Sequence, residues 1–275
     1  MNQKMKKNAA NQTNKLGYKF LSFLGLFVLL GVFFSCSVQK NSKTEEKSKG
    51  FISQDKLGNV YQVSDMRIIK YSNKLDSLNS NSIFSKGTIY SLDTRNPLQI
   101  MLFYKQQQQI VLLDNTLSET NKITLASFDW IDLVCMSNRD NAFWLYAITS
   151  QELLKTDKNG MVINRFNNIA QLVQKNINPT QLIEYENSVY LFDPNQGLFV
   201  FDLYGNYIKR VQLENAEIVK FYDKKVFFRV KNNIFSYNLV NFDKKLELES
   251  EGSFDDFEVG KSGVLVLEKS EINKR

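Results

Sequence analysis

The stretch VYLFDPNQGLFVFDLYGNYIKRV, residues 189–211, contains three apolar runs separated by turn-forming residues. The residues D-P-N-Q-G divide the first run from the second, and Y-G-N divides the second from the third. Runs of β-branched and aromatic residues bounded by Asp, Asn, Gly and Pro are typical of short strands joined by hairpin turns. The stretch therefore predicts three consecutive β-strands.

The same strand pair recurs along the chain. Five apolar runs end in a polar turn residue, with starts 36 to 45 residues apart: IIKYS (68–72), IVLLD (110–114), LLKTD (153–157), LFVFD (198–202) and IFSYN (234–238). Each follows another strand-like run: NVYQV (59–63), IMLFY (100–104), FWLYAI (143–148), VYLF (189–192) and VFFRV (226–230). A sixth copy begins with GVLVLE (263–268) and continues into a segment that contains Ile272. A period near 40 residues built from short strands is typical of β-propeller blades.

Two copies, GNVYQVSDMRIIKY (58–71) and NSVYLFDPNQGLFVFDLYGNYIKRV (187–211), resemble NHL-like and related six-bladed propeller repeats. The third and fifth copies lack the glycine of this pattern, and the sixth is short. We predict an all-β protein whose residues 51–275 form a β-propeller of six blades, with five as the alternative. Ring closure is left open, and completion of the last blade by N-terminal strands is one option. The resemblance implies a fold but no particular activity, because many unrelated activities share this fold.

The N-terminus has the pattern of a targeting segment. Fifteen almost wholly apolar residues, FLSFLGLFVLLGVFF (20–34), follow a lysine-bearing segment, and roughly 20 are needed to span a membrane. The sequence VFFSC (32–36) resembles a bacterial lipobox, which implies that residues 1–35 are removed and that Cys36 is diacylated. A retained membrane anchor and an ordinary cleaved signal peptide are the alternatives.

The segment after Cys36 is polar and predicts a flexible tether over residues 36–50. We therefore expect a lipid-anchored protein of the bacterial cell envelope, at the outer membrane, facing either the periplasm or the cell surface. The formal charge of +6 falls to +1 when the five lysines of residues 1–35 are removed. A near-neutral mature domain argues against a nucleic-acid-binding protein.

Few residues suggest catalysis. The chain contains no histidine, which excludes Ser-His-Asp and Cys-His catalysis and histidine-ligated metals. It also has no paired-cysteine, glycine-rich or phosphate-binding motif, so we predict no catalytic residue, no metal site and no cofactor. Four aspartates that end strands, Asp114, Asp157, Asp193 and Asp202, are interpreted as caps of their own turns. Cys135, in the run IDLVCM, is interpreted as a small buried apolar residue.

Other features are interpreted as structural. Trp130 and Trp144 are expected in the core, since both lie in strand-like runs. Residues 167–177, NNIAQLVQKNI, place Ile169, Leu172 and Val173 at helical spacing and predict a short helix or ordered loop between blades. The expected buried residues of the strand pairs include Leu112, Phe199, Val200 and Phe235.

Three functions compete. The first is a non-enzymatic scaffold that binds an envelope protein, the second a glycan- or ligand-binding lipoprotein, and the third a calcium-dependent hydrolase or lactonase. Loops tolerate functional change, so we expect the contact residues there. The candidate interaction residues are Pro97, Gln106, Gln109, Asp193, Asn195 and Gly197, together with residues 167–177. The oligomeric state is left open.

Overall fold

The computed structural model describes residues 50–64, 66–82 and 87–275. The predicted signal peptide, Cys36 and residues 36–49 of the predicted tether lie outside the described residues. In the described part, the strands form six antiparallel sheets whose innermost strands neighbour one another around a ring. The fold is a six-bladed β-propeller, which confirms the predicted architecture with six blades rather than five.

The strands in chain order are β1 (Phe51–Gln54), β2 (Val60–Ser64), β3 (Arg67–Tyr71), β4 (Ser77–Ser82), β5 (Ser91–Asp93), β6 (Ile100–Tyr104), β7 (Gln109–Leu113), β8 (Glu119–Thr124), β9 (Leu133–Met136), β10 (Phe143–Ala147), β11 (Glu152–Thr156), β12 (Val162–Phe166), β13 (Gln181–Tyr185), β14 (Ser188–Asp193), β15 (Gly197–Asp202), β16 (Tyr207–Val211), β17 (Ile218–Tyr222), β18 (Lys225–Val230), β19 (Asn233–Asn238), β20 (Lys244–Leu248), β21 (Asp256–Gly260), β22 (Gly263–Glu268) and β23 (Glu271–Lys274). One short helix, α1 (Ile169–Leu172), lies between β12 and β13.

Blades 1 to 5 each contain four consecutive strands, from β1–β4 to β17–β20, and the described part of blade 6 contains β21, β22 and β23. Within a blade we name the strands A to D, from the central channel outward. Strands B and C are the pairs predicted from the sequence. Every residue of β6 and β10, both B strands, is buried. A continuous apolar run is expected there, because both faces of strands B and C pack against neighbouring blades.

Apolar side chains between neighbouring blades hold the ring together. There are six clusters of buried apolar residues in the described part, one in each interface between consecutive blades. The interface of blades 3 and 4 contains thirteen such residues, including Trp144 and Phe199. The interface of blades 6 and 1, which closes the ring, contains four: Ile52, Val60, Leu265 and Leu267. Polar contacts supplement this small cluster.

Ring closure takes place by packing of two separate sheets. The backbone N–H of Ile52 in β1 donates to Asp256 Oδ2 in β21 at 2.9 Å, and Gln62 Nε2 donates to the carbonyl of Ser270 at 2.8 Å. Strand β1 pairs with β2 in the sheet of blade 1. The last blade is therefore not completed by the described N-terminal strands, which answers the question that the sequence left open.

The inserted segment forms the predicted helix in part. Ile169, Val173 and Ile177 are buried against blades 3 and 4, whereas Leu172, expected on the same face, is 46% exposed. The helix has only four residues, so it presents a narrow apolar stripe to the sheet. Within the described ranges, no helix has the length and apolar character needed to cross a membrane.

Candidate functional site

The loops of the propeller emerge on two opposite sides of the ring. Neighbouring strands are antiparallel, so the A–B and C–D loops share one side, and the B–C turns and D–A connectors share the other. We name these the A–B side and the B–C side. Contacts between blades agree with this division. Arg139 and Asn187, in the A–B loops of blades 3 and 4, form a hydrogen bond. Gln151, in the B–C turn of blade 3, donates to the carbonyl of Ile177 in the next connector.

The candidate interaction residues from the sequence do not form one surface. Pro97 lies in the A–B loop of blade 2. The others lie on the B–C side: Gln106 and Gln109 in blade 2, Asp193, Asn195 and Gly197 in blade 4, and residues 167–177 in the connector between blades 3 and 4. A single flat partner can therefore contact Pro97 or the remaining candidates, but not both.

Several of these candidates have structural roles. Asp193 is buried, and its carboxylate accepts the N–H groups of Asn178 and Asn195, both at 2.8 Å. Gly197 is buried with φ of +100°. A Cβ on Gly197 would lie 2.5 Å from the carbonyl oxygen of Val211, so only glycine fits. In this turn, Asn195 is the candidate whose side chain is exposed.

Three glutamines fasten the B–C side. Gln108 donates to the carbonyl of Ile131 at 2.9 Å and accepts the N–H of the same residue at 2.9 Å. Gln151 donates to the carbonyl of Ile177 at 2.9 Å, and Gln196 donates to the carbonyl of Asn176 at 2.6 Å. Each glutamine lies in a B–C turn and holds a neighbouring D–A connector. The loops of this side are thus largely occupied by contacts within the ring.

The A–B side exposes apolar side chains instead. Among the described residues, the five most exposed large apolar side chains all lie on this side, with exposed fractions from 65% for Leu57 to 78% for Tyr204. Two lie in A–B loops and three in C–D turns: Leu57, Leu98, Met161, Tyr204 and Val240. The large apolar residues that are exposed in the described D–A connectors, on the B–C side, are at most 50% exposed: Tyr90, Trp130 and Leu172. The two sides therefore offer a partner different chemistry.

Each of the five exposed residues is held by the same device. Its backbone N–H donates to the side-chain oxygen of a preceding Asp or Asn at 2.8–3.0 Å. The acceptors are Asp55 for Leu57, Asn96 for Leu98, Asp157 for Met161, Asp202 for Tyr204 and Asn238 for Val240. A side chain that bonds its own turn reduces the freedom of the loop. The apolar residues are thus presented by turns with a fixed backbone.

These turns confirm the sequence interpretation of the strand-ending aspartates. Asp114, Asp157 and Asp202 each accept two backbone N–H groups from residues two and four positions later. The contacts hold the pKa of all three carboxyl groups below the usual range; for Asp114, the Thr116 hydroxyl has the largest effect. Their oxygens are committed to turns.

Sequence reasoning missed the exposed apolar residues and misplaced one tryptophan. Four of the five lie two positions after the Asp or Asn that caps their turn, as in D-K-L at Leu57 or D-L-Y at Tyr204, a pattern that does not by itself identify a binding residue. Trp144 is fully buried as expected, but Trp130 is 50% exposed, so its core assignment is wrong. The run FDWIDL belongs to a D–A connector that buries Ile131 and leaves Trp130 outside. Leu112, Phe199 and Val200 are buried, and Phe235 is half-buried.

Polar side chains of the A strands bridge the blades around the central channel. In blade 2, the Arg95 guanidinium pairs with Asp93 and donates to the carbonyl of Met136 in blade 3 at 2.6 Å. The Met136 N–H donates back to Asp93 at 3.0 Å. Burial alone would raise the pKa of Asp93, but the Arg95 charge and these hydrogen bonds lower it below its usual value. The pair therefore joins two blades as an ionised unit.

The other junctions have equivalent bridges. The buried Glu184 of blade 4 accepts the indole N–H of Trp144 at 2.5 Å and the backbone N–H of Asn138 at 2.9 Å, both from blade 3. Gln181 of blade 4 exchanges two hydrogen bonds with the backbone of Val219 in blade 5, at 2.8 and 3.2 Å. These carboxylate and amide groups hold the ring together rather than pointing at an open site.

A buried lysine joins blades 5, 6 and 1. Lys220 Nζ lies 3.3 Å from Asp256 and 3.5 Å from Glu258, and it donates to the carbonyl of Ile52 at 3.0 Å. Burial lowers the pKa of Lys220, but the two carboxylates more than compensate and raise it above its usual value. Burial raises the pKa of Glu258, against the opposing effect of Lys220. This cluster supports the interface with the fewest buried apolar residues.

The channel offers little reactive chemistry. Burial raises the pKa of the Cys135 thiol to about 12, so the thiol is not a nucleophile at neutral pH. Within the part of the chain that the structure describes, no three Cys, Asp or Glu side chains are grouped so as to hold a metal ion.

A cleft opens on the A–B side between blades 1, 2 and 3. It has a volume of about 180 Å³, and its lining includes Lys56, Arg95, Pro97, Arg139 and Phe143. Clefts that hold drug-sized ligands are usually about 300–1,000 Å³. The size therefore suits a protruding side chain of a partner better than a whole small molecule.

Comparison with known proteins supports the fold. No family model matches the chain, and no curated protein matches it. A streptogramin B lyase has a TM-score of 0.56 and 14% identity, covering 80% of this chain and 76% of that one. A catalytically inactive histidine-to-alanine variant of virginiamycin B lyase from Staphylococcus aureus, solved with quinupristin, has a TM-score of 0.55 and 11% identity, covering 84% and 85%. The Pan2 WD40 domain of Neurospora crassa has a TM-score of 0.52 and 8% identity, covering 82% and 74%. Likeness at these identities shows the fold alone.

Proposed function

We propose that this chain is a non-enzymatic binding module of the bacterial cell envelope that docks a protein partner on its A–B side. One observation carries the proposal. Among the described residues, the five most exposed large apolar side chains are distributed over blades 1 to 5 and all lie on that side, each on a turn closed by its own Asp or Asn. Exposed apolar groups on a rigid scaffold favour binding, because little conformational freedom is lost when the partner docks.

The residues argue against an active site like that of the enzymes in the comparison. A histidine-to-alanine variant of virginiamycin B lyase is described as catalytically inactive, and this chain has no histidine. The buried carboxylates Asp93, Glu184 and Asp256 each accept a backbone N–H group from a neighbouring blade. A hydrolase that used calcium would need several free carboxylates on one site. The lyases therefore share the propeller but supply no reason to propose their chemistry here.

The membrane attachment rests on the sequence around Cys36. The apolar run 20–34 ends just before Ser35-Cys36, and a polar segment follows. Two acyl chains anchor a protein stably where one does not. We expect a Cys36→Ser variant to leave the membrane fraction after cell breakage and ultracentrifugation. A variant that stays with membranes after signal processing would contradict lipid anchoring, without affecting the argument for the A–B side.

The partner proposal is tested with surface variants of the full chain. We expect co-purification from a mild detergent extract of envelopes to recover a partner with the unsubstituted protein and to lose it with Leu98→Ser plus Tyr204→Ser. Trp130→Ser plus Leu172→Ser, on the B–C side, is the matched control and should retain it. If the partner were lost with Trp130→Ser plus Leu172→Ser and retained with the A–B variant, the proposal would be contradicted. Turnover of esters, lactones or glycosides that one carboxylate substitution abolishes would also contradict it.

A further inference from the structure

The outer strands of blades 4 and 5 bring two lysines close to aromatic side chains, one of which, on the A–B side, is exposed. Phe242, in the C–D turn of blade 5, is 55% exposed. Lys209 Nζ, on β16 of blade 4, lies 4.6 Å from the centroid of the Phe242 ring. The Tyr237 ring packs against the Phe242 ring, and their centroids are 6.2 Å apart. We name this group, with Lys244 on β20, the Lys209 cleft.

Lys244 enters the cleft from the other strand. It is the cross-strand neighbour of Tyr237, and its Nζ lies 5.0 Å from the centroid of Phe235 and 5.5 Å from that of Phe228. Both lysines therefore pack over aromatic rings of one connected group. Cation–π contacts hold an ammonium group in place and leave its N–H donors available.

The two lysines have no acidic partner among the described residues. On the opposite face of blade 5, by contrast, Lys225 and Lys245 share one carboxylate, that of Glu247. The aspartates of the two adjoining C–D turns bind within those turns: Asp202 accepts backbone N–H groups of its own turn, and Asp243 accepts the side-chain amide of Asn241. The Lys209 cleft thus combines uncompensated positive charge with exposed apolar surface.

We propose that the Lys209 cleft binds an acidic, partly apolar segment of a protein partner. A carboxylate of this segment contacts Lys209 and Lys244, and an apolar side chain packs on Phe242. Tyr204 and Val240, in the C–D turns of the same two blades, extend the apolar contact on either side. This proposal rests on the proposed function and assigns the chemistry of its partner.

Charge complementarity favours a peptide over a lipid surface. Recognition of anionic membranes usually involves clusters of roughly four to eight Lys and Arg residues. The Lys209 cleft has two lysines without an ion-pair partner among the described residues, fewer cations than such clusters contain. Two cations flanking an aromatic group match one or two carboxylates beside an apolar residue.

The test uses the full-length protein in phosphatidylcholine nanodiscs and a fluorescent ten-residue peptide that alternates glutamate with phenylalanine and leucine. We expect saturable binding by fluorescence anisotropy, weakened about tenfold or more by Lys209→Glu plus Lys244→Glu. Phe242→Ala should also weaken it. Lys158→Glu, an exposed lysine in the C–D turn of blade 3, is the matched control and should change it by less than about threefold. Thermal unfolding of each variant confirms that the ring is intact.

Four outcomes would overturn the proposal. One is equal binding of a peptide in which lysine replaces glutamate. The second is no effect of the double charge reversal, and the third is no peptide binding at all. The fourth is binding of vesicles of 70% phosphatidylcholine and 30% phosphatidylglycerol in place of the peptide. If the A–B variants abolish partner capture while the charge reversal changes nothing, the docking side stands and the acidic segment is wrong.

Discussion

The A–B and B–C sides are built from the same repeat, but they use their polar residues differently. On the B–C side, Gln108, Gln151 and Gln196 reach out of their turns and bind the neighbouring connectors. On the A–B side, residues such as Asp202 bind their own turn, so the apolar residue that follows points to solvent. Both sides contribute contacts between blades, but only the turns of the A–B side also expose an apolar side chain two or four positions after the capping residue. Substitutions on the two sides should therefore differ in their effects on stability and on recognition.

The largest effect on stability is expected for a substitution in the central channel, which runs between the two sides. Asp93→Asn leaves Arg95, which is mostly buried with its side chain 22% exposed, without its ionic partner and should lower the free energy of unfolding by about 3 kcal/mol at pH 7. The pKa of Asp93 is lowered in the folded protein, so the stability it contributes is present above its unfolded value of about 3.9 and is lost as pH falls. Urea unfolding from pH 3 to pH 7 measures both effects.

The control for this experiment is Asp129→Asn, an exposed carboxyl in the connector before blade 3, which should change stability by less than about 0.5 kcal/mol. The free energy of unfolding of Asp93→Asn should also fall less steeply with decreasing pH than that of the unsubstituted protein. If the free energy of unfolding of Asp93→Asn and of the unsubstituted protein depended on pH in the same way, the Asp93–Arg95 pair would not link folding to pH.

The next effect compares one glycine from each side. Gly197 on the B–C side and Gly58 on the A–B side have φ of +100° and +95°, so alanine adds about 1–3 kcal/mol of backbone strain to either. Only Gly197 also places the new Cβ 2.5 Å from a backbone oxygen; at Gly58 the nearest atom is 3.5 Å away. Gly197→Ala should cost about 1–3 kcal/mol more than Gly58→Ala in urea unfolding. If Gly197→Ala and Gly58→Ala lowered the free energy of unfolding equally, the turn at Gly197 would have to shift to accommodate the new Cβ.

A smaller effect is expected for the glutamines of the B–C side. Gln151→Ala removes hydrogen bonds to the carbonyls of Ile148 and Ile177 and should cost about 1–3 kcal/mol. Gln107→Ala, an exposed glutamine of the same side, should cost less than about 0.5 kcal/mol. Hydrogen exchange should show faster exchange at the Ile169 N–H, which bonds the Gln151 carbonyl, in Gln151→Ala alone. Unchanged exchange would contradict the role of Gln151.

The sequence predicted strands B and C in repeated copies but indicated few of strands A and D, such as YIKRV of β16, and the reason is physical. Strands B and C lie between two blades, so a run such as IMLFY in β6 is apolar throughout. Strands A carry polar groups for the channel, and strands D, such as SLNSNS in β4, are largely exposed. Neither gives a periodic apolar signal. The repeat could thus be counted, while the channel network and the outer edge could not be inferred.

The candidate site was harder to predict than the fold. The notable loop QQQQ was recognised, but Gln108 within it binds the connector at Ile131 and is not free for a partner. Single apolar residues in polar turns, such as Leu98, are common on protein surfaces and carry no signal by themselves. They gain meaning only when the ring places them on one side, which depends on contacts between residues about 40 positions apart.

The most direct test of the central claim is site-specific photo-crosslinking in the native envelope. A photoreactive phenylalanine analogue replaces Leu98 or Tyr204 on the A–B side and Trp130 or Leu172 on the B–C side, one position at a time. Because all four side chains are exposed, each replacement should change stability by less than about 0.5 kcal/mol. We predict that both A–B positions crosslink to the same protein and that neither B–C position does. Crosslinks to that protein from the B–C side, or equally from both sides, would contradict the account.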